Sequence, residues 1–208
     1  MTSILKADTI QDTDGNNIIN ESSDTITIGA SGDTIALAGS SVTGITQGIT
    51  MAQQWRLSSN FTCNGNNQTV TGWEAADQSG SVSIGSAMTE SSGIFTFPQT
   101  GIYEISVTII FGSNDAADTN VSSVMQLSTN SGGSYQTQSL LWIGYESGAG
   151  GSPPSRQTAH QTIIMDVTNV STDRFRVQGS NGDATSAFFE GNTDYNATML
   201  LFKRIGDT

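Results

Sequence analysis

A nine-residue unit repeats between residues 22 and 48, and it constrains this part of the chain more than any other feature. Two copies follow each other directly, SSDTITIGA and SGDTIALAG, and a weaker third copy is SSVTGITQG. Apolar residues alternate with polar ones at Ile26 and Ile28, and again at Ile35 and Leu37, which is β-strand spacing. One unit is too short to bury its apolar pair, so copies must stack on each other or on copies from other chains. The repeats therefore predict a stem, and they favour a structural protein over an enzyme.

The composition favours an all-β fold. Charged residues make up 12% of the 208 residues, about half of the usual ~25%, so good helix formers are scarce. The chain has 23 Gly and 3 Pro, and its many Ser, Thr and Asn residues suit turns and half-exposed strands. The formal net charge of −12 repels phosphate backbones and anionic membranes, which argues against nucleic acid or a membrane as partner.

The single cysteine, Cys63, excludes an intrachain disulfide. We therefore expect folding in a reducing cytosol. Residues 1–8 contain no apolar core of signal-peptide length. The sequence also contains no run of about 18 apolar residues, the length that a membrane-spanning helix needs.

The first region, residues 1–52, is predicted to begin with a hairpin. Ile10 and the pair Ile18–Ile19 flank the turn sequence DTDGNN at residues 12–17. The same Asp-x-Asp-Gly string resembles the start of a calcium loop, but the later ligands and the closing Glu are missing. Ordinary turn chemistry is the favoured interpretation, and calcium is the alternative.

The second region, residues 53–208, has the richer apolar content. Alternating segments recur about every ten residues and are separated by turn signals such as the TNSGGS stretch at residues 129–134. The run from Ile102 to Phe111 alternates at first and then becomes wholly apolar, as a central strand does. Eight to ten such strands predict an antiparallel sandwich or jelly roll. Its expected core and subunit-contact residues include Phe95, Phe97, Tyr103 and Phe202.

Three motifs in this region resemble the tumour necrosis factor and complement-type head superfamily. The stretch SGIFTFPQTGIY at residues 92–103 carries its Phe-x-x-Pro-x-x-Gly-x-Tyr signature. DRFRV at residues 173–177 resembles the penultimate strand, and TMLLFK at residues 198–203 resembles the closing strand. The resemblance implies a ten-stranded antiparallel jelly roll that assembles as a homotrimer. The collagen stalk or secretion signal of the animal members is not found here.

The first region resembles tail-fibre and virion-attached proteins of marine bacteriophages, in which a short Ile-Asp-Thr-Asp-Gly-like segment and Gly-Asp-Thr-Ile repeats precede a head. The resemblance implies a trimeric tail fibre or spike. This resemblance implies a protein made in the host cytoplasm and carried on the virion. The N-terminal segment would contact other virion proteins, and the head would meet a host receptor or glycan. Two alternatives remain open: a capsid-decorating or head-fibre structural protein, and a polysaccharide depolymerase.

The best candidate for a receptor contact is the Gly/Pro-rich loop at residues 146–155 and the aromatic residues before it. Trp and Tyr beside a loop of small residues supply large contact area at low entropy cost. The alternative is that Trp142 points into the core. The expected contact residues are Trp142, Tyr145, Glu146, Pro153 and Pro154.

No catalytic, cofactor or metal site is predicted. His160 is the only histidine, and we expect a strand histidine with a local hydrogen bond; a metal shared on a threefold axis is the alternative. The oxygen-rich loop at residues 114–120 is expected to be solvated, with calcium as its alternative. For a depolymerase, the candidate carboxylate pairs are Glu74 with Asp77 and Glu190 with Asp194.

Overall fold

The computed structural model describes residues 9–11, 13, 17–22, 25–28, 48–113, 121–143, 155–181 and 187–208. All regular structure in these ranges is β-strand, with no helix among them. The chain divides into two compact units, residues 1–46 and residues 47–208. The prediction of an all-β protein is confirmed.

The N-terminal unit is a three-stranded antiparallel sheet. Its strands are β1 (Thr9–Gln11), β2 (Asn17–Ser22) and β3 (Thr25–Ile28), in that order across the sheet. The predicted hairpin is confirmed, because Ile10 pairs with Ile19 across β1 and β2. The first repeat copy forms β3, as its alternation predicts. Most of the turn at residues 12–17 and the repeats from residue 31 to residue 47 lie outside the described residues.

The second unit, which we call the head, is built from two antiparallel sheets. Its strands in chain order are β4 (Met51–Leu57), β5 (Phe61–Cys63), β6 (Gln68–Thr69), β7 (Trp73–Ala75), β8 (Thr89–Ser91), β9 (Ile94–Thr96), β10 (Gly101–Ser113), β11 (Val121–Ser128), β12 (Gln136–Ile143), β13 (Ser155–Val167), β14 (Arg174–Asn181), β15 (Ala187–Phe189) and β16 (Met199–Gly206).

The seven-stranded sheet runs β13, β10, β16, β4, β7, with β15 and β5 continuing beside the end of β10. The six-stranded sheet runs β12, β11, β14, β9, β8, with β6 paired to β14. Strands distant in sequence are therefore neighbours in both sheets, as in a jelly roll. The edge strands β12 and β13 lie beside each other at one side of the sandwich.

Aromatic rings fill the space between the two sheets. The Phe95 ring lies 5.0 Å from that of Phe202 and 5.3 Å from that of Trp55. The Phe97 ring packs against Tyr103 at 4.9 Å. All of these residues are buried. The alternating residues of β10 therefore supply the core, as the pattern from Ile102 to Phe111 predicts.

The SGIFTFPQTGIY stretch forms the connection from β9 to β10. Gly101 has a φ of +141°, and a Cβ there would collide with the Arg204 side chain and the Gly206 carbonyl oxygen. Its backbone thus approaches the last strand too closely for any side chain. The signature glycine is required by packing between β10 and β16.

The head begins slightly earlier than residue 53. β4 starts at Met51, whose side chain is fully buried. Met51 and Ala52, which the sequence places at the end of the first region, belong to the first core strand.

Candidate self-association face

One face of the seven-stranded sheet is turned away from the core, and we call it the outer face. Its residues follow from strand alternation, because Tyr103, Ile105 and Val107 are fully buried while their neighbours on β10 are partly exposed. The outer face combines isoleucine, leucine and methionine with small polar residues. It includes Ala52, Gln54, Ile102, Glu104, Ser106, Thr108, Ile110, Thr158, His160, Thr162, Ile164, Asp166, Met199, Leu201 and Lys203.

A cluster of polar side chains lies at the centre of this face. The register pairs Thr108 with His160 and Ser106 with Thr162. The Thr108 hydroxyl lies 2.9 Å from His160 Nδ1, and the Ser106 and Thr162 hydroxyls are 2.7 Å apart. Thr162 Oγ1 also lies 3.3 Å from His160 Nε2. The prediction of a strand histidine with a local hydrogen bond is confirmed. Because these polar groups bond to one another, another subunit could bury them without leaving them unsatisfied.

One ion pair lies beside this cluster on the outer face. Lys203 Nζ lies 2.7 Å from Glu104 Oε1, and both side chains are partly exposed. Ile164 on β13 is the direct cross-strand partner of Glu104 and is 70% exposed. Ile102, Ile110, Met199 and Leu201 on the same face are also partly exposed, and a group of apolar side chains on one face is typical of a surface that is covered in an assembly.

A groove of about 460 Å³ lies toward the other side of the outer face. Its lining includes Ala52 and Gln54 of β4, Leu201 of β16 and the segment of residues 79–84. Two backbone hydrogen bonds between Ala52 and Ile84, of 2.8 and 3.1 Å, hold that segment against β4. Val82 is 78% exposed at the rim. One side of the groove is therefore held in place by backbone hydrogen bonds, and its rim is apolar.

Trp142 lies on the opposite side of the head, on the solvent face of the six-stranded sheet. It is 62% exposed, and Leu140, two positions earlier on β12, is 50% exposed. Their register partners on β11 are Ser122 and Val124. The alternative that Trp142 points into the core is wrong. Four of the predicted contact residues, Tyr145, Glu146, Pro153 and Pro154, lie outside the described residues, as does the loop at residues 114–120.

The first candidate carboxylate pair is engaged by one arginine. Arg56 is fully buried, its Nε donates to Glu74 Oε1 at 2.7 Å, and its Nη2 donates to Asp77 Oδ1 at 2.6 Å. Burial acts to lower the pKa of Arg56, but the hydrogen bonds and charges of Glu74 and Asp77 outweigh it, and the pKa is raised. Glu74 and Asp77 therefore form ion pairs with a buried structural arginine.

The two members of the second candidate pair have separate partners. Glu190 forms an ion pair with Arg156, while the Asp194 amide donates to Asn192 Oδ1 at 2.6 Å within its own loop. Glycoside cleavage requires two carboxyl groups that flank one bond, with one able to supply a proton. In the first pair both carboxylates are engaged by Arg56, and in the second Glu190 is engaged by Arg156.

Among the described ranges, no three His, Cys, Asp or Glu side chains gather as a metal site would require. Nor does any helix there have the length and apolarity to cross a membrane.

No protein-family model and no curated protein sequence matches this chain. Solved structures do match it. Eiger TNF from S. frugiperda superposes with a TM-score of 0.54 at 13% identity, covering 77% of this chain and 95% of that one. Murine APRIL at pH 5.0 gives a TM-score of 0.53 at 12% identity, covering 74% of this chain and 98% of that one.

Identities this low establish a shared architecture and nothing finer. They agree with the strand order described above and with the three sequence motifs of the head. The bacteriophage resemblance of the first region remains a prediction. The chain has a tumour necrosis factor-like jelly-roll fold.

Proposed function

We propose that this protein is a non-enzymatic homotrimeric fibre of a virus particle, whose jelly-roll head binds a receptor or glycan on the host surface. The N-terminal region would form a stem and contact other virion proteins. The observation that carries the self-association is the exposure of Ile164 on the outer face, at 70%, and of Val82 at the rim of the neighbouring groove, at 78%.

The outer face offers two different surfaces at its two sides. The β13 side presents Ile164, and the β4 side presents the groove lined by Leu201. Contact between unlike surfaces of identical subunits is heterologous and closes into a ring when the rotation permits. Three copies are expected from the resemblance of the head, and the fold is compatible with that number.

The host contact would use the other sheet. Trp142 and Leu140 lie on the solvent face of the six-stranded sheet, so ring closure through the outer face leaves that face available. Exposed Trp is an effective anchor for a receptor or a sugar ring. This separation of faces supports a protein that assembles with one sheet and binds with the other.

Light scattering on the purified chain tests assembly. We expect a particle of three 21.8 kDa chains. Val82→Asp places a charge on the groove rim and should shift the chain toward monomer with little effect on folding. Gln138→Glu, an exposed change on β12, is the matched control and should remain trimeric. A parent chain that is monomeric at micromolar concentration would contradict the proposal.

Adsorption to intact host cells tests binding. Trp142→Ala should stay trimeric and adsorb at least about tenfold less, the loss expected for an anchor residue worth more than ~1.4 kcal/mol. Parent-level adsorption by this variant places the contact elsewhere on the head. If the parent itself does not adsorb, the capsid-decorating role replaces the host-binding role. A glycan-clearing assay on the same cells would reveal a depolymerase.

A further inference from the structure

The three strands of the N-terminal unit align isoleucine residues in one row. Ile10 pairs with Ile19 across β1 and β2, and Ile19 pairs with Ile28 across β2 and β3. Ile26 precedes Ile28 by two positions on β3, so strand alternation puts it on the same side of the sheet. We call Ile10, Ile19, Ile26 and Ile28 the isoleucine row.

All four side chains of the isoleucine row are exposed. The exposed fractions are 38% for Ile10, 37% for Ile19, 67% for Ile26 and 53% for Ile28. A small sheet is stable in water only when its apolar face packs against another layer. Clustered exposed apolar side chains on a soluble protein also mark an interaction site. The row therefore requires a covering surface.

We propose that the isoleucine row packs against the rows of other copies of this chain and forms the contact between subunits in the stem. This rests on the proposed homotrimer and names a second place where its subunits meet. Apolar rows from identical sheets can cover one another around a common axis, as stacked repeats bury faces that a single repeat cannot.

The covalent link to the head favours a second copy over a different protein. Ile28 lies only 23 positions before Met51, the first residue of β4. An extended chain spans at most ~3.6 Å per residue, so associated heads hold their rows within reach of one another. Tethering of this kind gives an effective concentration on the order of millimolar. A different protein, which is not linked to the head, does not gain this increase in effective concentration.

Cysteine cross-linking of the full chain tests the inference. Ile19→Cys puts a thiol in the row, and Asn20→Cys, one position along the same strand, puts it on the opposite side of the sheet. The native thiol of Cys63 is buried in the head, so it gives little background. Each variant is oxidised, or bridged with a short bis-maleimide, and run on a denaturing gel after light scattering confirms its native mass.

We expect Ile19→Cys to yield covalent dimers containing about two thirds of the chains, since one bridge joins two of three subunits. Asn20→Cys should stay at background. Ile28→Cys with Thr27→Cys as its control repeats the comparison on β3, so that one poorly folding variant does not decide the result. Concordant cross-linking of both row positions supports the inference.

Equal cross-linking of row and control positions in a chain that is still trimeric would overturn the inference and leave the proposed homotrimer intact. The row would then be expected to contact another virion protein. A chain that is monomeric by light scattering before cross-linking contradicts the homotrimer itself. The two failures are therefore distinguished by the native mass.

Discussion

The rings of Phe97 and Tyr103 meet edge to face, with their centroids 4.9 Å apart and their planes at 64°. Phe97 lies in the β9–β10 connection and Tyr103 near the start of β10, and both are buried. The Tyr103 hydroxyl donates to the Gln99 carbonyl oxygen at 2.9 Å. The ring contact therefore packs the β9–β10 connection against the core, and the hydrogen bond joins this connection to the start of β10.

Phe97→Ala should lower the free energy of unfolding by about 3–5 kcal/mol, because a large buried ring leaves a cavity. Tyr103→Phe keeps the ring contact and removes only the hydroxyl, so it should cost about 1 kcal/mol. Urea unfolding at one fixed protein concentration measures both, since assembly contributes to stability. Similar losses for the two variants would contradict the ring contact as the main contribution.

Removing the acids around Arg56 should cost more than removing Arg56 itself. Glu74→Ala with Asp77→Ala leaves a fully buried guanidinium without either carboxylate, at an expected cost of about 3–5 kcal/mol. Arg56→Met leaves carboxylates whose side chains are 33% and 80% exposed and can be hydrated. We expect it to cost at least ~1 kcal/mol less.

The control for this comparison is Asp207→Asn at the chain end. Asp207 pairs with Arg204, and its side chain is 91% exposed, so the change should stay within ~1 kcal/mol. The reverse order, with Arg56→Met the most damaging variant, would show that Arg56 stabilises β4 mainly by packing.

The head should fold without the N-terminal unit. A fragment of residues 47–208 contains all of β4, and we expect the native β-sheet spectrum by circular dichroism and a cooperative thermal transition. A fragment starting at Gln53 loses the fully buried Met51 and should melt at a lower temperature. A non-cooperative transition for residues 47–208 would show that the stem is needed for the head to fold.

Strand alternation and one turn signature are sufficient to predict the architecture of the head. The buried residues of β10 occupy every second position, and Gly101 is fixed by contact with β16. These are local patterns with direct structural causes. The hairpin of Ile10 and Ile19 follows from the same kind of signal.

The interaction faces are harder to predict from the sequence, because they depend on contacts between residues that are far apart in the chain. Alternation predicts that Leu141 and Trp142 point to opposite sides of β12, but it does not show which side faces solvent. Arg56 looks like any surface cation in the sequence, and only the pairing of β4 with β7 brings Glu74 to it. The groove combines β4, β16 and residues 79–84, which are far apart in the chain.

Stability at alkaline pH should depend on Tyr103. Burial raises the pKa of Tyr103 above its ordinary value of 10.0, against the opposing effect of the Arg204 charge. In the folded chain Tyr103 therefore keeps its proton at a pH where the unfolded chain has lost it. Because the unfolded state then binds fewer protons, the free energy of unfolding falls as pH rises. Below pH 10 the contribution is constant.

The decline above pH 10 can reach ~1.4 kcal/mol per pH unit for one such group. Tyr103→Phe removes it, so the urea midpoint of this variant should fall less steeply than that of the parent between pH 9 and pH 11. Tyr195→Phe is the matched control, because it removes the same hydroxyl from a tyrosine that is 52% exposed. If Tyr103→Phe and the parent lose stability in parallel, other groups cause the alkaline loss, and the Tyr103 hydroxyl is not held protonated by the fold.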